Sequence, residues 1–397
     1  MTVAPAPTPA RPPPWRDVRV LRIAGQAAVL LAVGLLLAWL WSNLQTNTER
    51  LGIPAPTDFS YLDQPVGQSI AGSDLRPTQS RLDALQVGLV RTIQIAIVGI
   101  ILTTILGIFL GIARLSSNWL VATFARLYVE LFRNTPPLVV VIFIYLGMFI
   151  NGGFLPPQGE AFEIPKLLAM DIRGISVLWV SFTGSPWPYL LILALGVGLG
   201  WFVSRWRGRA QDATGKPAYP VLSGFIVFLA VAIVGWLALG GPTEITAPSV
   251  GADGRIAGGN KLTPEYAALL VGLVLYTASH VAEITRGSIQ AVARGQDEAA
   301  KALGLTPGQR LRKVILPQAL RVAIPPMSNQ YLNLTKNSSL AVAIAYVEMT
   351  RVTSDLVANG APAFQAFLLL AFLYLLISLA TALITNTINS RLAIPER

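Results

Sequence analysis

Long apolar stretches recur along this chain, and a polypeptide that carries them has few ways to fold. A bilayer core of roughly 30 Å is crossed by about 20 residues in helical form, and every backbone polar group inside it must be satisfied by the segment itself. Eight stretches meet or nearly meet that length: 21–41, 87–113, 127–150, 187–203, 221–239, 266–284, 323–347 and 364–384. The third, fourth and seventh contain or abut prolines or polar residues and are the least sharply defined. Charged residues make up 13% of the 397 positions, about half the share of a soluble domain. The expected fold class is therefore an all-α membrane protein with about eight transmembrane helices.

The connecting loops predict its orientation. With the N-terminus inside, the basic groups Arg11 to Arg22, Arg114 with Arg126, Arg205 to Lys216 and Arg286 to Arg321 all fall on one side. The opposite loops, 42–86 and 151–186, mix scattered bases with Asp58, Asp63, Asp83, Glu160 and Glu163. An excess of Lys and Arg marks the cytoplasmic face, so both termini are expected in the cytoplasm. The net charge of +10 is then explained by orientation, with no nucleic-acid partner. The Pro/Ala-rich start reads as a disordered extension, and the first apolar stretch as a retained span rather than a cleaved leader. The two outer loops read as irregular caps on helix ends or as surfaces for an extracytoplasmic partner.

Several chemistries are excluded at once. There is no cysteine, hence no disulfide, thiolate nucleophile or cysteine-held metal. The only histidine, His280, makes no multi-histidine metal site, and no serine sits in a nucleophile elbow that would use it as a base. No catalytic or metal-binding residue is assigned.

One cytoplasmic stretch is unlike an ordinary connector. Asp297 and Glu298 open a short Ala/Leu helix through Ala299 and Ala300, where the N-terminal dipole favours acids. Gly304 stands where a C-cap belongs. Thr306 and Pro307 are N-cap and first residue of a second segment, which Pro317 is expected to interrupt. The result is a small-residue knob projecting from the membrane. Composition leaves two readings open, a knob for a groove on a soluble partner or an amphipathic interfacial helix. The pattern Glu298-Ala299-Ala300, three residues, Gly304, nine residues, Val314, one residue, Leu316-Pro317 resembles the E-A-A-x3-G-x9-I-x-L-P signature of ABC-importer permeases. Only Val314 departs from it, by one methylene. Segments 128–136 (Y-V-E-L-F-R-N-T-P), 283–289 (E-I-T-R-G-S-I) and 334–340 (L-T-K-N-S-S-L) are similar to the polar amino-acid branch of that family. Together these matches cover roughly half the chain, and the whole looks like the long permeases of general or acidic-and-neutral amino-acid importers.

That resemblance implies a five-helix core plus an N-terminal helix and a two-helix insertion. The implied divisions are 1–20 as cytoplasmic N-terminus, 21–84 as first helix and outer loop, and 85–150 as the first core part. The insertion is 151–261, and 262–397 is the second core part with the coupling helix. It further implies a bacterial inner-membrane location and a coupling helix at Glu298, Ala299, Ala300, Gly304, Leu316 and Pro317 that seats in an ABC ATPase dimer. A second permease subunit, giving a heterodimer, and an extracytoplasmic amino-acid-binding protein complete the implied partners. The chain lacks G-x-x-x-x-G-K-[ST], so no cofactor is expected on it by that route, and ATP and Mg belong to the partner.

Ionisable residues inside spans are costly and default to functional candidates. Glu130 with Arg133, and Glu283 with Arg286, are three apart near cytoplasmic ends. They read either as self-paired helix ends or as an inner gate that cross-pairs between helices. Lys336 falls near mid-span with no acid within a turn, followed by Asn337, Ser338 and Ser339. One reading is a structural ion pair or kink. The other is a broken helix whose half-helix N-terminus lines the solute path and holds an α-carboxylate. Asn134 and Thr135, before Pro136-Pro137, are read as a kink on the same path or as a proline-led helix start. The alternative to an ATP-driven importer is an ion-gradient-driven secondary amino-acid transporter. It calls for mid-span acids and an inverted repeat, neither of which the sequence displays, and it leaves the cytoplasmic knob unexplained. A scaffold role leaves Lys336 unexplained.

Overall fold

The structure, a computed structural model, describes residues 13, 15–52, 54–70, 72–73, 75–215 and 217–392. The start read as a disordered extension thus lies largely outside the described residues. Two compact units divide the chain, 1–94 with 347–383 and 95–346 with 384–397.

In the first unit, helix α1 (Val18–Leu51) opens on Asp17, whose carboxylate accepts from the Arg19 N–H, and closes on Gly52 at φ 62°. No glycine or proline interrupts the polar residues after Trp41, so the helix outruns the apolar stretch that starts it. Among the described residues of 55–80, the backbone is irregular apart from a 3-10 turn at Ser60–Asp63, yet several side chains are buried. Tyr61, Val66, Ile70 and Leu75 pack on Leu85, Val352 and Leu356 as one buried cluster. Helix α2 (Arg81–Ala113) begins here, and Arg81 is buried with donors to Gln64 and the Asn359 carbonyl. The other members of this unit are α11 (Met349–Ala358), capped by buried Glu348, and most of α12 (Ala363–Leu392). (Numbering follows chain order; the helices between belong to the second unit.)

The second unit holds α3 (Trp119–Asn134), α4 (Pro137–Ile142, widening to a π-helix through Ile150), α5 (Trp187–Thr214), α6 (Pro220–Ala238) and α7 (Pro264–Gln290). It continues with α8 (Arg294–Ala302), α9 (Pro307–Arg310) and α10 (Leu316–Asn337). Its core lies along α7, whose Leu269, Leu273, Ala278 and Val281 are fully buried. Gly107 and Gly111 let α2 touch it: a Cβ at Gly107 would lie 2.5 Å from Val281 Cγ1, and one at Gly111 2.6 Å from Thr285 Cβ. Small residues that admit such backbone approach are how helices associate where lipid supplies no hydrophobic drive.

The insertion departs from the reading of irregular outer loops. Its two helices, α5 and α6, form a hairpin closed at Gly200 and Gly224, where each glycine faces the other's carbonyl. Its outer segments fold into antiparallel strands. Strands β1 (Phe162–Ile164), β2 (Leu168–Asp171) and β3 (Gly174–Val177) pair in order, and β8 (Asn260–Leu262) adds to β3. Strands β4 (Trp179–Phe182) with β5 (Thr243–Thr246), and β6 (Ser249–Val250) with β7 (Ile256–Ala257), make two ribbons. Strands this short carry almost no periodicity to read.

Among the described residues, six helices are long and apolar enough to cross a membrane: α1, α2, α5, α6, α7 and α12. The pair α3 and α4 with its π extension passes the same test as one unit bent by 107° and would make a seventh. Stretch 323–347 is carried by α10 and a 3-10 turn, Ser338–Ile344. It is helical but too polar for the test, and the fold remains compatible with about eight spans. Pro325 and Pro326 sit inside α10 without ending it, as helices buried among neighbours allow.

Candidate coupling loop and inner charge cluster

The stretch 294–317 follows most of its local signals, although α8 starts at Arg294, three residues before the expected opening at Asp297, and Ala293 gives it no side-chain cap. Helix α8 carries Asp297 in its first turn and Lys301 in its last, each favourably placed against the dipole. At its end the Gly304 N–H donates to the Lys301 carbonyl and the Leu305 N–H to the Ala300 carbonyl, with Gly304 at φ 74°. This is the Schellman arrangement, in which the left-handed residue is best a glycine. Thr306 then caps α9 in a reciprocal box with Gln309, and Pro307 follows where its missing N–H costs nothing.

One local expectation is corrected. Pro317 does not interrupt the second segment. Residues Leu311–Ile315 widen into a π-helix, and Pro317 falls in the first turn of α10, so the rod runs on to Asn337. The π turn, in which the Leu316 N–H reaches back to the Leu311 carbonyl, widens the helix just before the proline and lets its ring be accommodated without a break.

The knob is held to this rod by a clasp. The Asp297 carboxylate takes Lys301 Nζ at 2.8 Å and Arg310 Nη1 at 2.5 Å. The Lys301 hydrogen bond, with Arg310 beside it, holds the Asp297 carboxyl below the usual carboxylate range. Ala300 is buried against the chain, whereas Glu298 and Ala299 are exposed and Leu303 is 80% exposed. Leu303 was not singled out from sequence. Its signal was an apolar residue immediately before the C-cap glycine of a polar knob. Leu316 is half-buried and Pro317 exposed. A cavity of about 370 Å³ lies under the clasp, lined in part by Leu115, Val292, Arg294, Asp297 and Ile315.

Of the paired ions, Glu283 is the centre. Arg286 Nη2 donates to it at 2.5 Å, Arg114 Nη1 donates to its other oxygen, and Arg133 Nη1 stands 3.6 Å away. Arg286 also donates to Gln290 at 2.6 Å. The cluster thus contains both the i,i+3 pair on α7 and a cross-helix pair from α3. Glu130 is exposed and forms no ion pair among the described residues. Arg114, just past α2, was read only as a cytoplasmic base, because nothing local reveals that the helix end meets α7.

Around Lys336 the helix tightens without opening. Ser338 Oγ donates to the Thr335 carbonyl at 2.7 Å and Ser339 Oγ to the Lys336 carbonyl at 2.8 Å. The Ser338 N–H also stays bonded to the Leu334 carbonyl of the preceding turn. This is the C-terminal end of α10, continued by a 3-10 turn that Ala345 closes at φ 58°, and not a half-helix N-terminus. The free group is the Lys336 ammonium, exposed and without an acidic partner among the described residues. Asn134 ends α3 in an exposed position, and extended Thr135 returns its hydroxyl to the Leu131 carbonyl at 2.8 Å before the chain turns.

Comparison with known proteins places this architecture. Residues 103–394 match the family described as binding-protein-dependent transport system inner membrane component. The chain belongs to that family of multi-pass inner-membrane transport components, and it is not itself the catalytic subunit. It is 35% identical to the general L-amino acid transport system permease protein AapQ of Rhizobium johnstonii, over 93% of this chain and 92% of that one. It is 36% identical to the putative amino-acid ABC transporter permease protein YhdX of Escherichia coli, over 93% of each. With the glutamate/glutamine/aspartate/asparagine transport system permease protein BztB of Rhodobacter capsulatus, identity is 35% over 96% of each.

Proposed function

We propose that the chain is a membrane-spanning subunit of an ATP-driven importer of polar L-amino acids, coupled to a separate ATPase through residues 298–317. The observation that carries the reading is a clasped knob, closed by a Schellman turn at Gly304, with Glu298, Ala299 and Leu303 exposed, in a chain whose full-length relatives are named amino-acid permeases. An ATPase dimer holding ATP and Mg takes the knob. A second permease subunit, forming a heterodimer, and an extracytoplasmic binding protein complete the assembly. Both termini face the cytoplasm, as the basic loops direct.

The geometry suggests how the push travels. Asp297 ties α8 to Arg310 at the base of the rod, and α10, with 22 residues, extends for about 33 Å at 1.5 Å per residue. A displacement of the knob is therefore delivered to the far end, where Lys336, Asn337, Ser338 and Ser339 stand. The π turn at Leu311–Ile315 is the compliant joint of that lever. At its far end the ammonium and side-chain amide and hydroxyls meet the solute's carboxylate, with Asn134 and Thr135 on the same path. The Glu283 cluster, with Glu130 alongside, closes the inner end.

Purification of the tagged chain from its own membranes tests the reading, followed by ATPase assays in liposomes with a panel of amino acids. Recovery of an ATPase chain, and hydrolysis stimulated by polar amino acids, is the expected result. A chain that purifies alone and takes up solute on an imposed proton or sodium gradient overturns it.

A further inference from the structure

The Glu283 cluster is not electrically complete. Three guanidiniums, Arg114, Arg133 and Arg286, face a single carboxylate, which leaves a surplus of about two positive charges at one spot. Arg286 Nε is buried and has no hydrogen-bond partner, and Arg133 is held only loosely at 3.6 Å, 43% exposed. His280, one turn earlier on α7, is turned to the Tyr276 carbonyl at 3.2 Å and supplies no negative charge. A fixed set of guanidinium donors with unfilled capacity is suited to a second oxyanion, which arginine binds in a forked geometry.

Helix α3 indicates where that anion comes from. It packs on α7, with Tyr128 Oη donating to the Leu275 carbonyl at 2.8 Å and Ala125 and Val129 packed near Ala282. The chain then turns by 107° into α4. Leu120, Phe124, Leu127 and Leu131 form an apolar sector 61–70% exposed. Arg126, Glu130 and Arg133 occupy the adjoining sector of the same helix. A helix with one apolar face and one largely basic face, bent by 107° from the helix that follows it, has the character of an interfacial helix. Its leucines meet acyl chains and its bases meet headgroups.

We propose that Arg114, Arg133 and Arg286 bind the phosphate of an anionic phospholipid of the inner leaflet, with Leu120, Phe124 and Leu131 against its acyl chains. The lipid supplies the second negative charge that the cluster lacks. The assignment to the inner leaflet rests on the orientation given above, whereas the binding itself does not depend on the transport reading.

The test is native mass spectrometry of the purified full chain in detergent, titrated with phosphatidylglycerol or with phosphatidylcholine of the same chains. Phosphatidylglycerol should be retained preferentially. Arg133→Gln and Arg114→Gln should each lower its retention about fivefold, the factor expected for one basic residue at an anionic surface. Arg133→Lys, which keeps the charge but not the fork, should lose less than Arg133→Gln, and Arg205→Gln with Arg209→Gln on α5 should change nothing. Arg133 is loosely held, so its variants decide the matter even if Arg114→Gln fails to fold. Equal retention of the two lipids overturns the proposal, as does an equal loss in the α5 variant. Displacement of the lipid by soluble glycerol 3-phosphate would make the ligand a free phosphate and overturn it too.

Discussion

Replacing Glu283 by Gln tests whether the inner cluster is one cooperative unit. The carboxylate accepts from Arg114 and from Arg286, and a charge-assisted hydrogen bond contributes about 1.5–3 kcal/mol when dry. The side chains are 26%, 15% and 29% exposed respectively, so water screens part of that. Roughly half survives, about 2 kcal/mol for the two together, between the exposed and buried limits for ion pairs. Glutamine keeps one acceptor but removes the charge, leaving three guanidiniums to repel one another. The expected cost is therefore about 2 kcal/mol, seen as a lower unfolding midpoint in detergent and partly restored by salt. Arg286→Gln should be far less harmful in the Glu283→Gln background than alone, with a coupling of about 1 kcal/mol in a double-mutant cycle. A cost under about 0.5 kcal/mol, typical of a surface substitution, or strict additivity with Arg286→Gln would refute the reasoning.

Asp297→Asn should release Arg310 and loosen the knob while leaving the exposed Glu298 face intact. ATPase capture should persist while solute moved per ATP falls severalfold; unchanged coupling removes the clasp from the mechanism. Because Lys301 and Arg310 hold the Asp297 carboxyl below its ordinary value, the clasp is present above the unfolded-state pKa. It is lost only as pH falls through the lowered folded value, so coupling that fades near neutral pH points to another group. Lys336→Met should raise the transport KM several-fold with ATPase binding unaltered, and an unchanged KM takes Lys336 off the solute path. Gly107→Ala sets a Cβ 2.5 Å from Val281 Cγ1. It should cost about 1–3 kcal/mol by forcing α2 from α7, read as a lower melting temperature; an unchanged melting temperature would show that the two helices do not meet at Gly107.

What the sequence could and could not disclose divides by the range of the interaction involved. Gly304, Thr306 and Pro307 act within a few residues of themselves, so the C-terminal turn of α8 and the N-cap of α9 were readable and are found in place. Pro317 was misread because a proline both stops one helix and starts the next, and only the π turn before it selects the second role. Arg114 was missed because its partner is 169 residues away, and sequence spacing has no bearing on which helix end α2 meets. The outer strands were missed because each runs two to four residues, too short for alternation to register. The same division explains Lys336. An unpaired ammonium was legible as an anomaly, but whether the backbone beside it offers donors depends on how α10 ends. There the N–H groups are consumed by a tightening helix, so any selectivity for a carboxylate must come from side chains. That shifts the weight of recognition onto Lys336 itself and makes its substitution more decisive than a break of Ser338 or Ser339.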